Sequence, residues 1–357
     1  MVTYAILANP GHNRVYFDAS KELSLAELTI AANAFSTSCK NFRCEDIAEV
    51  PYYMLDAEET LTRREMGILS RLSFCYAIFT VEACGEAQKV LHPVSKVDAA
   101  FFNPSISTIL KYSGKTNELF TRTMLNAALY SSSFAGENGQ FRLLDPISGK
   151  GTTLYEGLIC GFDVSGVEIG EKTVHEASVY FKKFLESEKW KHSHSIEKLS
   201  GENKSYQAKV HRFEFASTKE EWKNPDKLRH LTMVAGDSRF TDRYFKKNSF
   251  HMIVGDLPYG VAHGNVAGDW KSADGKTSGS LTRNPKELIC ACLPAWWKVL
   301  KQGGVLALSW NAFVLPKKEM AGAVEKNGFT VLAGGPYDKF EHRVDQAIKR
   351  DILIARK

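Results

Sequence analysis

A chain of 357 residues, 44% hydrophobic and 24% charged, has the composition of a globular protein with room for two domains. No apolar run reaches the roughly eighteen residues a membrane helix needs, and Met1 to Pro10 lacks the basic stretch and apolar core of a secretory signal, so a cytoplasmic location is expected. The net charge of +5 admits a polyanionic partner without demanding one, and the seven cysteines, with Cys39 and Cys44 or Cys290 and Cys292 as nearest pairs, show no CxxC or zinc-finger spacing. They read as buried free thiols, and no metal is expected.

Thr3 to Ala8 reads as a strand, residues 9–13 as a turn, and Arg14 to Phe17 as a second β-prone stretch. Lys21 to Phe35 places Leu25, Leu28 and Ala32 at helical spacing, with Asp18 or Ser20 as cap. Val50 to Leu55 is strand-like, Glu58 to Leu72 helical, and Arg71 to Val81 rich in strand formers. Residues 1–100 are thus expected to form a small α+β domain, a candidate RNA-docking or ferredoxin-like module. Lys89 to Ser107 reads as a mixed connection with two prolines.

Asn117 to Leu129 has Leu119, Phe120, Met124, Leu125 and Ala128 on one helical side. From Phe141 onward, strand, Gly-rich turn and helix recur: strands at 141–144, 162–169, 231–235, 251–255, 305–310, 329–333 and 351–355, helices at 152–160, 171–190, 285–300 and 317–327. Such βα alternation predicts an α/β fold, a doubly wound sheet whose site lies at the carboxyl ends of its strands, over residues 101–357. Lys191 to Arg229 is polar and reads as an insertion; Val261 to Asn284, rich in Gly, Ser, Thr and Lys, reads as a functional loop. Trp296 and Trp297 read as helix packing, and His192 and His194 as surface residues.

Asp145-Pro146-Ile147-Ser148-Gly149-Lys150-Gly151-Thr152-Thr153 follows a strand and opens a helix. Its glycines permit a tight turn, and the helix start offers unpaired N–H groups and the positive end of a dipole, which suit a carboxylate such as the methionine tail of S-adenosylmethionine. Asp145 can accept from that cofactor's amino group. Glu168, with Ile169 after it, ends the next strand and can take both ribose hydroxyls. Asp237, before Ser238, ends the third and can accept from an adenine amino group. One Gly-rich turn is a weak signal; an acid at the end of each of three successive strands is a stronger one.

Asp256-Leu257-Pro258-Tyr259 follows the strand at 251–255. An exocyclic amine conjugated to its ring is a poor nucleophile. The Asp256 carboxylate and the Leu257 carbonyl, accepting from its two N–H bonds, localise the lone pair; Pro258 fixes the turn and Tyr259 can stack on a flipped-out base.

Asp145-Pro146-x-x-Gly149-x-Gly151-Thr152, Gly161 with Glu168, and Asp256-Leu257-Pro258-Tyr259-Gly260 resemble the RNA methylase family, which includes tRNA guanine-N2 methyltransferases of the guanosine-10 type and THUMP-type class I methyltransferases. Lys111 to Asn117 and the tail Phe340 to Gln346 with Arg350-Asp351 share the resemblance, which covers about residues 105–357; Leu25-Ala26-Glu27-Leu28 echoes the small domain those enzymes carry. Leucine at 257 departs from the Asp/Asn/Ser-Pro-Pro-Tyr/Phe form, and the chain before Phe101 is too short for that small domain plus a full THUMP domain. The resemblance implies a class I, Rossmann-like methyltransferase using S-adenosylmethionine on a nucleobase amine, guanine N2 in tRNA first. Lys271, Arg283, His342 and Arg343 join Tyr259 as candidate substrate contacts. DNA adenine-N6 or cytosine-N4 methylation uses the same four-residue logic, and a cofactor-binding RNA-interaction protein without turnover is the alternative outside enzymes.

Overall fold

The computed structural model describes residues 1–9, 14–84, 88–97, 100–112, 114–137, 139–258 and 285–357. In the N-terminal part, β1 (Val2–Ala8), α1 (Arg14–Ala31), β2 (Cys39–Ile47), β3 (Val50–Ala57), α2 (Arg63–Ser70), β4 (Cys75–Cys84) and β5 (Gln88–Val94) follow in order. The strands make an antiparallel sheet ordered β2-β3-β1-β4-β5. Its first four strands with the two helices have the split βαβ connectivity of ferredoxin-like units. Alternation sorts the faces: Tyr4, Ile6, Tyr53, Leu55 and Ile78 belong to the core shared with the helices, whereas Ala5, Tyr52 and Met54 form a smaller cluster with Phe79 and Leu91.

The remaining elements are α3 (Ser105–Thr108), α4 (Glu118–Ser131), β6 (Arg142–Asp145), α5 (Thr152–Ile159), β7 (Asp163–Glu168), α6 (Glu171–Ser187), β8 (Lys191–Ser200), β9 (Gln207–Ala216), α7 (Lys219–Trp222), β10 (Arg229–Ala235), α8 (Thr241–Tyr244), β11 (Phe250–Asp256), α9 (Pro285–Val299), β12 (Leu300–Asn311), α10 (Lys317–Glu325), β13 (Thr330–Leu332), β14 (His342–Arg343) and β15 (Lys349–Arg356). They form one sheet ordered β13-β15-β12-β11-β6-β7-β10-β9-β8, with β14 paired to β15. β10, β7, β6, β11 and β12 are mutually parallel, and β15 runs antiparallel to β12. This is the expected Rossmann-like, doubly wound sheet. From β6 the chain winds one way through β7 and β10, then crosses to β11 and winds the other way. The crevice outside the carboxyl ends of β6 and β11 is therefore the topological switch point, where ligands bind in such sheets.

Strand residues of alternate parity feed two cores. Leu143, Val164, Met252 and Val305 belong to one that continues into the N-terminal sheet, while Leu144, Val167, Ile253 and Leu306 pack with Trp296 and Trp310. Gly157 of α5 sits hard against this sheet: an added Cβ would lie 2.7 Å from Leu143 and 2.8 Å from Val164. Gly157→Ala is expected to destabilise the fold by about 1–3 kcal/mol through overpacking, read as a lowered Tm in thermal unfolding.

The two sheets meet where α1 packs on α4. There the fully buried Glu27 accepts from Ser73 N at 2.8 Å, Asn126 Nδ2 at 2.6 Å and the Ser73 hydroxyl. Burial pushes its carboxyl upward.

Several expectations are corrected. Arg14 to Phe17 is the first turn of α1, not a strand. The connection at 89–107 contains strand β5, and β2, unread in the sequence, forms the opposite edge. The polar stretch after residue 190 is no irregular insertion: β8 and β9 form a hairpin that extends the sheet beyond β10. Edge strands carry polar residues because little covers them. His194 stacks on Phe213 with ring centroids 4.1 Å apart. Among the described residues, no helix is long and apolar enough to cross a membrane, and no group of three or more His, Cys, Asp or Glu could hold a metal ion.

Candidate active site

A cavity of about 720 Å³ opens at the switch point, within the range of small-ligand sites. Asp145, Pro146, Gly149, Thr152, Thr153, Glu168, Ile169, Asp237, Ser238, Asp256, Leu257 and Pro258 all line it. Four separate strand ends bring these residues together.

Local geometry explains the glycine turn. Gly149 and Gly151 have φ of 50° and 95°, left-handed values that side chains resist. Gly151 is the N-cap of α5 and carries no side-chain cap, so the first N–H groups of that helix are left for another acceptor. Gly166 of β7 has the turn pressed against it: an added Cβ would meet Ser148 Oγ at 2.7 Å. Glu168 braces the same turn, its carboxylate accepting from Gly149 N at 3.2 Å and Gly170 N at 2.8 Å.

The cavity is acidic. Asp145 is buried and accepts from Ile147 N at 3.0 Å. Burial, with the neighbouring Asp256 and Glu168 charges adding to it, pushes its carboxyl up to about 7. Burial also raises Glu168. Asp237 is paired with Arg239, whose NH2 lies 2.6 Å away, and also accepts from Arg239 N at 2.9 Å. Lys150, the lysine of the lining, is paired with Glu176 at 3.0 Å. Carboxylates gathered this way suit a ligand carrying positive charge and several hydrogen-bond donors.

Asp256 ends β11 opposite Ser309 of β12, and Leu257 N donates to Ser309 O at 2.8 Å. The Leu257 side chain is buried, which leaves its main chain as the part that can serve the site. Thr116 Oγ1 donates to Asp256 Oδ2 at 2.6 Å. Tyr112 OH lies 3.0 Å from Thr152 Oγ1. Thr116 and Tyr112 were not among the residues singled out for the site, although they lie in the 111–117 segment. No spacing rule links residues 140 positions apart, and only the fold sets them side by side.

Two further expectations are not met in the cavity lining. His342 is buried, its ring centroid 5.3 Å from that of Phe120 and its Nδ1 3.0 Å from Phe340 O. Burial pushes its imidazole downward. Arg343 is exposed and closes its own hairpin, Nε donating to Asp345 O at 3.0 Å. Tyr259, Lys271 and Arg283 lie outside the described residues.

No family model matches the chain. No curated protein matches it either. Among solved structures it is similar to TrmN from Thermus thermophilus, at 11% identity over 100% of both chains with a TM-score of 0.44. It is also similar to a spermidine synthase from Thermotoga maritima, at 12% identity over 79% of this chain and 69% of that one, TM-score 0.36. A third is the 16S rRNA N2 guanine methyltransferase RsmC of T. thermophilus, solved with AdoMet and guanosine, at 14% identity over 89% of this chain and 58% of that one, TM-score 0.35. At these values the cavity's own residues have to carry the function.

Proposed function

We propose that the chain is an S-adenosylmethionine-dependent methyltransferase acting on an exocyclic amine of a nucleobase, with guanine N2 in tRNA as the substrate. The observation that supports this most is the pairing at the switch point: Asp145 and Asp256 end the two strands that diverge there and line one cavity with Glu168 and Asp237. The donor set fits the cofactor. Asp145 answers its ammonium and sulfonium charges, Glu168 its ribose hydroxyls, Asp237 its adenine amino group, and the uncapped start of α5 its carboxylate. When bound, the cofactor supplies an electrophilic methyl group.

The chain's own residues then hold the nucleophile. Asp256 would accept from one amine N–H and the Leu257 carbonyl from the other, which keeps the lone pair out of the ring, and the Asp256 carboxylate would take up the proton the amine loses. The acceleration comes from placement and fixed charge, with no covalent intermediate. Thr116 is a positioning residue: its hydroxyl holds the Asp256 Oδ2 oxygen. Thr116→Val is expected to lower kcat about tenfold, the loss of one charge-assisted hydrogen bond, with KM for the cofactor little changed and Thr116→Ser restoring the rate. A rate unaffected in Thr116→Val removes this role.

The N-terminal unit is proposed to help dock RNA against the sheet, and the reaction belongs to tRNA processing. The deciding experiment incubates total tRNA, and separately DNA, with methyl-labelled S-adenosylmethionine and identifies the labelled nucleoside. N2-methylguanosine supports the reading. N6-methyladenine or N4-methylcytosine in DNA replaces the substrate and keeps the chemistry. Cofactor binding with no labelled product on either polymer refutes the enzyme.

A further inference from the structure

A second cavity, of about 350 Å³, lies at the junction of the two sheets, lined by Ser70, Arg71, Lys96, Arg122, Pro104 and Cys160 among others. α2 ends at Ser70 with Arg71 as its C-cap, Lys96 follows β5, Arg122 belongs to α4, and Cys160 caps the C-terminal end of α5. The cavity is thus at the end of α5 opposite the glycine turn, away from Asp145 and Asp256.

Its charge is unbalanced among the described residues. Arg122 donates through Nε and NH2 to the buried Glu156, at 3.0 and 2.8 Å. Among the described residues, Lys96 Nζ donates to two carbonyls, Cys75 O at 2.9 Å and Tyr76 O at 3.4 Å. Arg71 Nε is shielded from solvent and has no hydrogen-bond partner. Glu27, a second carboxyl nearby among the described residues, is raised by burial and is engaged by Ser73 and Asn126. Three cations thus line a concave junction in which one carboxylate is already paired. A guanidinium presents a planar fork of N–H donors, the group best suited to take an oxyanion.

We infer that this junction is a binding site for a phosphate group, held by Arg71 with Lys96 and Arg122. Two sources share that chemistry: a backbone phosphate of a bound RNA, and a free phosphate or phosphorylated small molecule. Only the RNA source rests on the substrate reading above; the site itself does not depend on it.

The test titrates inorganic phosphate into the full chain by calorimetry, with chloride at matched ionic strength as control. Arg71→Gln and Lys96→Gln are measured beside the wild type; Lys96 is exposed, so its variant keeps the test open if Arg71→Gln fails to fold. Phosphate is expected to bind the wild type and raise its Tm, and to bind each variant at least about fivefold more weakly. RNA binding across a salt series separates the sources. A slope of log affinity against log salt that falls by about one in each variant identifies a backbone phosphate. An unchanged slope with weakened phosphate binding identifies a small phosphorylated ligand. No phosphate binding to the wild type, or equal affinity in all three proteins, overturns the site. S-adenosylmethionine affinity is expected to be the same in all three, because the cavity shares no lining residue with the proposed cofactor site.

Discussion

Asp256→Ala is expected to lower kcat for methyl transfer to RNA by about 10²–10³-fold, the range seen when one preorganised polar group at a reacting centre is removed, while cofactor affinity stays within about tenfold. The backbone of β11 is held by pairing with β6 and β12, and Leu257 N stays bonded to Ser309 O, so the strand end keeps its place without the carboxylate. The amine loses one acceptor, and Thr116 loses the oxygen it holds at 2.6 Å. Asp256→Asn is expected to do no better, because its NH2 faces the substrate's N–H bonds in one of its two orientations. Single-turnover kinetics with labelled cofactor, alongside calorimetric cofactor binding, checks both halves. A variant that methylates RNA at more than a tenth of the wild-type rate shows that Asp256 is not the acceptor.

Cofactor binding is expected to weaken as pH falls below neutrality, and Asp145 is the reason. Burial pushes its carboxyl up to about 7, with Asp256 and Glu168 adding to the effect. The ligand-free protein therefore holds a proton there at mildly acidic pH, whereas a cationic ligand needs the carboxylate. Binding then releases up to one proton, and affinity drops by up to about tenfold per pH unit below about 7, levelling above it. Stability of the ligand-free fold runs the other way. A carboxyl raised from its ordinary 3.8 contributes stability that is complete below that value and is lost as pH rises through about 7. Asp145→Asn is expected to flatten both profiles and to bind S-adenosylmethionine weakly at every pH. Calorimetry in buffers of different ionisation enthalpy counts the proton directly. A wild-type affinity constant between pH 5.5 and 8 would falsify the assignment of Asp145 to the cationic end of the ligand.

Much of the candidate site is legible in the chain because its parts are local. A strand, a turn with glycines at 149 and 151 and a helix start lie within a dozen residues, and their φ values of 50° and 95° are what glycine alone adopts freely. An acid at a strand end reads equally well, since the apolar run before it marks the strand. The order of these units also implies a doubly wound sheet, and with it a switch point. The α/β class and the cavity lining follow from those signals.

What the chain does not disclose is whatever depends on long-range contact. α1 begins in a Val-Tyr-Phe stretch whose residues prefer strand, yet the helix runs through it. The β8 and β9 hairpin looks like polar filler, since an edge strand advertises little hydrophobicity and is defined by its partner β10. His342 reads as a candidate contact, yet the closing hairpin buries it against Phe120. Thr116 meets Asp256 across 140 positions, Glu27 meets Asn126 across 99, and Arg71, Lys96 and Arg122 meet around one cavity. The sequence by itself determined the βα alternation, the glycine turn and the acids at the strand ends, because backbone preference and hydrophobic period act over a few residues. Only the tertiary structure decided which hydroxyl holds Asp256, which strand-end carboxyl is buried, and which cations gather around one cavity. Those are properties of distance and desolvation, and both are set by chain segments far apart in sequence.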